Sequence, residues 1–297
     1  MPTLPLPLPA KTANQTHSTT VPTTYNRRVG NGSCADIYRI SEDRVLKTPK
    51  IYPESYHPDL EYSNFMHREE IQNEKLVFER LGNHEGVIRC LNQHSDSIVL
   101  VFANQGDMEN YIEHNPCPKQ ELRVQWVKSL IDAFCYIHSR RVVHQDIALR
   151  NILLHNDSPK FCDFGQSAML PLDTDMEQFC VYETTPQVEL LALGSLLYSI
   201  IVWKRFEYDY FENNRLPEPQ ELPTTNGIPF GSIIRKCWSG QYASMEALMK
   251  DFRAVSDRQN SERQPLTWRG ALLVSFVASF PYVIHWLGVA RLPQLKE

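Results

Sequence analysis

An excess of positive charge is missing from this 297-residue chain: 30 Lys+Arg stand against 35 Asp+Glu, a formal net charge of −5. Nucleic-acid surfaces are normally basic, so this balance gives no ground for one. Any Cys-x-x-Cys pair is missing too. The seven cysteines (Cys34, Cys90, Cys117, Cys135, Cys162, Cys180 and Cys237) are odd in number and scattered. Neither a disulfide framework nor a zinc site is indicated, and reduced thiols in a cytosolic compartment are the plain reading. Cys34 and Cys162 are expected to fill space. No internal repeat is evident. No acidic residue precedes Asp36, yet the first residues lack the continuous apolar run of a signal peptide and the Arg-rich amphipathic pattern of a transit peptide. What remains is an ordinary globular composition, 42% hydrophobic and 22% charged. It excludes wholesale disorder, collagen-like repetition and a polytopic membrane protein, and the length suits one large or two modest domains.

The averages conceal zones. In residues 1–24, Pro5, Pro7 and Pro9 alternate with leucines and a Thr/Ser/Asn run follows. Missing amide donors disfavour helix and ladder alike, so a disordered or polyproline-like tail is expected. Residues 25–256 read as one α+β domain, with a boundary between a small β-rich part (25–102) and a larger helical part (103–256). Short strands are expected at 35–40, 44–47, 87–91 and 97–103. Helices are expected at 60–81, with Ile71, Leu76, Val77 and Leu81 near one face, and at 122–139. In the second, Val124, Trp126, Val127, Leu130, Ile131, Phe134 and Ile137 form an apolar stripe. Later helices fall at 188–203, 231–237 and 244–255. A polar linker (257–268) precedes a stretch without Asp, Glu, Lys or Arg from Gly270 to Ala290.

Four clusters carry chemistry. Gly30-Asn-Gly32-Ser33-Cys34-Ala35 lies between strand candidates, and its glycines would let backbone amides approach phosphates closely; alone, such a loop is more often a hairpin turn. Lys47 on the next strand could hold nucleotide phosphates with Glu74 on the following helix orienting it; alone, the two are surface charges. His144-Gln145-Asp146, followed five residues on by Asn151, is far more specific. Phosphoryl transfer needs a carboxylate to accept the hydroxyl proton and an amide oxygen for Mg2+ on one loop. Asp163-Phe164-Gly165 adds a carboxylate able to bridge Mg2+ between phosphate oxygens, although Asp-Phe-Gly taken singly is a turn.

In this order and spacing, the glycine loop, strand Lys, helix Glu, His-x-Asp…Asn and Asp-Phe-Gly resemble the eukaryotic protein kinase family over about residues 25–255. The resemblance implies a two-lobed α+β fold and the cofactors ATP and Mg2+. It implies that Gly30, Gly32 and Ser33 cover the ATP phosphates, Ile37 caps the adenine, and Lys47 contacts the α/β-phosphates while pairing with Glu74. Asp146 would be the catalytic base, and Asn151 and Asp163 the Mg2+ ligands. Leu100 aligns with the gatekeeper residue, Val101 to Ala103 with the adenine-reading hinge, Asp107 with a position near the ribose, and Leu153 with the adenine floor. The implied partners are ATP and a protein substrate.

Departures are equally specific. Gln145 replaces the Arg that ordinarily receives an activation-loop phosphate, so activity independent of loop phosphorylation is expected. Ala148 stands where Ser/Thr kinases carry a Lys, and Arg150 is similar to the tyrosine-kinase pattern. Thr185-Pro186-Gln187 replaces Ala-Pro-Glu, and its usual Arg partner after Cys237-Trp238 is also absent, so both halves of that buried ion pair are lost together. Glu189 replaces the Asp that normally ties down the catalytic loop. Three readings follow: a protein kinase acting on Ser/Thr or Tyr, an ATP-binding pseudokinase scaffold, and a small-molecule kinase of related fold. The charge-free run, flanked by Arg269 and Arg291, has the ~20 residues a membrane helix needs. Residues 269–291 are therefore expected to form a tail anchor that leaves the kinase domain cytoplasmic; the alternative is an apolar helix packed on the domain or on a partner.

Overall fold

The computed structural model describes residues 27–53 and 59–263. The proline-rich tail and the charge-free run at 270–290 both lie outside the described residues. Among those described, no helix is long and apolar enough to cross a membrane. The chain divides into two compact units between Thr174 and Asp175.

The first unit opens with β1 (Arg27–Asn31), β2 (Ala35–Arg39) and β3 (Arg44–Pro49). These join β4 (Cys90–Gln93) and β5 (Ile98–Val101) in an antiparallel sheet of order β1-β2-β3-β5-β4. The helix α1 (Asp59–Leu81) packs on β3. It carries Asp59 and Glu61 in its first turn and Arg80 in its last, which suits the helix dipole. Its buried face holds Ile71, Glu74, Val77, Phe78 and Leu81. Leu76, expected on that face, is 51% exposed. At 100° per residue it lies about 140° around the helix from Ile71, so it points away.

After α2 (Met108–His114) comes α3 (Gln120–Ser139), on which Trp126, Val127, Leu130, Ile131, Phe134 and Ile137 are all buried. Val124, the outermost of the expected stripe, is half-buried. Two short ladders follow: β6 (Val142–Val143) pairs with β9 (Ala168–Met169), and β7 (Ile152–His155) pairs with β8 (Ser158–Phe161). Asn156 and Asp157 close the second with φ of 51° and 56°, the left-handed pair of a two-residue hairpin turn. The strand expected at 87–91 begins only at Cys90. Val87 instead bridges Phe161, and the Ile88 amide donates to the Phe161 carbonyl at 2.9 Å. This tie couples the sheet region to β8.

The second unit is helical: α4 (Pro186–Val202), α5 (Tyr210–Asn213), α6 (Gly231–Trp238) and α7 (Met245–Arg263). Thr185 caps α4 through its side chain and Pro186 occupies the first turn, where no amide donor is required. Thirteen of the 17 residues of α4 are buried, as expected of a helix apolar on nearly every side. Its Gly194 admits α6 closely: a Cβ there would lie 2.7 Å from Cys237 Cβ and 3.1 Å from Trp238 Cδ1. The Trp238 indole N–H donates to Ser195 Oγ at 3.1 Å across that contact. The last helix continues to Arg263, eight residues beyond its expected end and into the stretch read as linker.

Candidate active site

Strand register gathers the first group of site residues. Residues paired across neighbouring strands point to the same sheet face. Gly30 pairs with Ile37, Ile37 with Lys47, Lys47 with Ile98, and Val45 with Leu100. Two residues apart on β3, Val45 and Lys47 share a face, so Gly30, Ile37, Lys47 and Leu100 line one surface. A Cβ on Gly30 would lie 3.1 Å from Ile37 Cγ1, a tight approach that the Ile37 side chain would have to shift to relieve. The turn beyond is drawn tight: Gly32 N–H donates to the Ala35 carbonyl at 3.0 Å, and Lys50 Nζ donates to the Gly32 carbonyl at 2.6 Å. Ser33 is exposed at its tip. Cys34 does more than fill space, for its thiol donates to Glu70 Oε1 at 3.2 Å. Burial pushes that thiol pKa up. Cys162 is buried as expected.

The centre of the site is one cation between two carboxylates. Lys47 Nζ stands 2.7 Å from Glu74 Oε2 and 2.7 Å from Asp163 Oδ1. Glu74 is 0% exposed, whereas the Asp163 side chain is 51% exposed. Burial alone would lower the Lys47 pKa, but Glu74 and Asp163 outweigh it and hold the ammonium above its ordinary value. Burial pushes the Glu74 carboxyl up against the opposing pull of Lys47. Asp163 feels the same opposition, and there Lys47 prevails and its pKa is lowered. The next residue, Phe164, is buried at 5.5 Å from the Phe78 ring of α1 and 4.9 Å from His144. Its amide donates to Glu74 Oε1 at 3.3 Å, so the Asp-Phe-Gly turn and α1 hold each other.

The third group is the loop between β6 and β7. Asn151 Nδ2 donates at 2.8 Å both to Asp146 Oδ2 and to the Asp146 carbonyl. Arg150 pairs with Asp146 Oδ1. His144 Nε2 donates to the Cys162 carbonyl at 3.1 Å and its Nδ1 receives the Asp146 amide at 3.4 Å, which fixes the tautomer. The Cys162 amide in turn donates to the Asn151 carbonyl at 3.0 Å, so the loop and the Asp-Phe-Gly turn are one hydrogen-bonded body. Gln145 and Asp163 both take left-handed backbone conformations, with φ of 67° and 61°. Such conformations in non-glycine residues gather at functional sites.

The hinge positions lie along the end of β5. Val101 N–H donates to the Arg89 carbonyl at 3.0 Å, Ala103 is buried, and its carbonyl receives Gly106 N–H at 3.3 Å. Asp107 bridges Leu153, bringing those two expected residues side by side. The Asp107 carboxylate already has a use: both oxygens bind Asn110 and cap α2.

The oxygen donors suit a hard divalent cation. Asp163 presents a carboxylate open to solvent, and because Asn151 spends its NH2 group on Asp146, its carbonyl oxygen is the end left for a metal. Sequence reasoning missed Asn73 and Arg80 of α1, which reach the backbone beyond Asp163: Asn73 Nδ2 donates to the Gly165 and Ser167 carbonyls at 2.9 and 2.7 Å, and Arg80 donates to the Leu170 carbonyl at 2.5 Å. Their spacing of seven, two helical turns, was the available signal.

Comparison with known proteins agrees with this geometry. Residues 23–200 match the family described as "Protein kinase domain". The chain is 27% identical over 210 residues to NUAK family SNF1-like kinase 1 of Mus musculus, covering 63% of this chain and 30% of that protein. It is 27% identical over 189 residues to the putative mitogen-activated protein kinase kinase kinase 7-like protein of Drosophila melanogaster, covering 57% of this chain and 44% of that one. Against mitogen-activated protein kinase kinase kinase dlk-1 of Caenorhabditis elegans it is 35% identical over 103 residues, 33% of this chain and 11% of the other. The chain thus spans less than half the length of each of these relatives.

Proposed function

The chain belongs to the protein kinase family, and from that premise we propose that it transfers the γ-phosphoryl group of ATP to a protein Ser/Thr hydroxyl in a Mg2+-dependent reaction. The observation that carries this reading is Lys47 held at 2.7 Å from both Glu74 and Asp163. The cation is thereby set on the sheet face that Gly30, Ile37 and Leu100 share, where it would meet the nucleotide phosphates. Asn151 and Asp163 would hold Mg2+, which neutralises phosphate charge. The Asp146 carboxylate, fixed by Asn151, would take the proton of the attacking hydroxyl. His144 orients the loop by its two backbone contacts. Asp146→Asn in the full chain is expected to lower Mg2+-dependent ATP turnover by about 10²- to 10⁴-fold, the usual span for a general base. Lys47→Ala is expected to fall to a similar level, and turnover in either variant equal to wild type overturns the reading.

Serine/threonine preference is supported by relatives such as RasGEF domain-containing serine/threonine-protein kinase X of Dictyostelium discoideum, 27% identical over 149 residues. Arg150 argues for tyrosine, and phosphoamino-acid analysis of the product separates the two. A scaffold reading has one observation in its favour: Arg150 occupies Asp146 Oδ1. Nucleotide binding without turnover above the Asp146→Asn level would establish it. The reading extends to a cytoplasmic kinase domain held at a membrane through residues 269–291, supported by the uncharged run in the sequence.

A further inference from the structure

We propose that Asn73 and Arg80 of α1 are positioning residues that latch the segment after Asp163 in its working conformation, without a phosphate. The proposal rests on the kinase reading and adds to it the means by which the segment is held. In the family this chain resembles, the residue at Gln145 is an Arg that receives a segment phosphate; a neutral amide cannot make that ion pair. On the facing helix two donors reach the segment backbone directly. Asn73 Nδ2 binds the carbonyls of Gly165 and Ser167. Two turns on, Arg80 binds the carbonyl of Leu170.

The segment side is prepared for both contacts. Ser167 is already held by its amide to the Phe164 carbonyl at 3.1 Å and by Oγ to the His144 carbonyl at 3.1 Å. The Leu170 amide donates to the Arg141 carbonyl at 2.9 Å, so the peptide groups on both sides of Leu170 are held. Arg80 is anchored in turn, because the Arg140 guanidinium binds its carbonyl at 3.0 and 2.8 Å. Asn73 adjoins Glu74 in the chain, so one placement of α1 sets both Glu74 against Lys47 and Asn73 against the segment. From the opposite side of α1, Gln72 and Lys75 bind the Ser95 carbonyl at 2.7 and 2.5 Å and hold the helix in that placement.

The test uses full-length wild type, Asn73→Ala, Arg80→Met and the double variant, all treated with phosphatase. Two measurements are made: amide hydrogen exchange by mass spectrometry, and Mg2+-dependent ATP turnover. Each lost hydrogen bond is expected to speed exchange at residues 165–170 by about fivefold to tenfold. The increase should be concentrated at residues 165–170 and exceed any change in β2, β3 and β5, whereas a general structural role would raise exchange in all of them alike. Turnover should fall through kcat, with KM for ATP unchanged. Wild-type exchange at 165–170 in the double variant overturns the latch, as does loss of wild-type turnover on phosphatase treatment alone. If wild type never exceeds the Asp146→Asn level, the kinase reading fails, and the exchange measurement still decides the latch by itself.

Discussion

At the scale of single residues, Asp163 has the environment most open to a direct pH test. Burial pushes its carboxyl up, but Lys47 at 2.7 Å outweighs that and lowers it below the ordinary value. A depressed carboxyl binds fewer protons folded than unfolded, so its contribution to stability is complete above the unfolded pKa of about 3.9 and is lost as pH falls through the folded value. The Asp163→Asn variant lacks this linkage. Urea midpoints measured from pH 6 down to pH 2.5 should therefore fall more steeply for wild type than for Asp163→Asn below about pH 4. Parallel curves would show that Lys47 does not hold the carboxylate. Asp146, Asn151 and Asp163 stand out in the sequence through short motifs of fixed spacing, whereas Lys47 and Glu74 stand out only through the order of all the clusters together. The sequence conceals Asn73 and Arg80 because their partners are backbone carbonyls, which bear no side-chain signature. Leu76 misleads for a related reason: a leucine one step from Val77 looks periodic until the 100° rotation is counted.

Among elements, α4 and α6 pack closely at a point that depends on an absent side chain. A methyl group on Gly194 would meet Cys237 Cβ at 2.7 Å with Trp238 directly beside it. Helix propensity alone favours alanine by about 1 kcal/mol. Overpacking between two buried helices costs about 1–3 kcal/mol, and it also strains the Trp238–Ser195 hydrogen bond, so the second effect wins. Gly194→Ala is expected to lower the urea-derived unfolding free energy by about 1 kcal/mol or more, and a rise would sink this account. Helices were legible from periodicity wherever a stripe met the core: α3 was expected at 122–139 and runs from Gln120 to Ser139. The four-residue strand β4 was misplaced, since Val87 and Ile88 are buried by bridging Phe161 and not by a ladder of their own. Apolar character records burial, and two residues cannot distinguish a bridge from a strand.

For the whole molecule, long-range pairings were the least legible feature: Val87 bridges Phe161, 74 positions away. Composition was informative in a different way. The 42% hydrophobic average blends a folded kinase domain with 21 consecutive residues, from Gly270 to Ala290, that carry no charged side chain. A helix of ~20 apolar residues matches the ~30 Å hydrocarbon thickness of a bilayer. Pro281 and His285 fall within the run, and proline is tolerated in membrane helices where neighbouring groups satisfy the freed carbonyl. Among the described residues no helix could supply an alternative span, so any membrane attachment through a spanning helix of this chain must come from outside them. A fluorescent fusion of the full chain should then sediment with membranes and resist extraction by high salt, while the same fusion lacking residues 269–297 should remain in the supernatant. Salt extraction separates insertion from charge attraction, since Arg258, Arg263 and Arg269 could draw the chain to anionic lipid only through a screened interaction. Equal partitioning of the two fusions would assign the uncharged run to packing against protein.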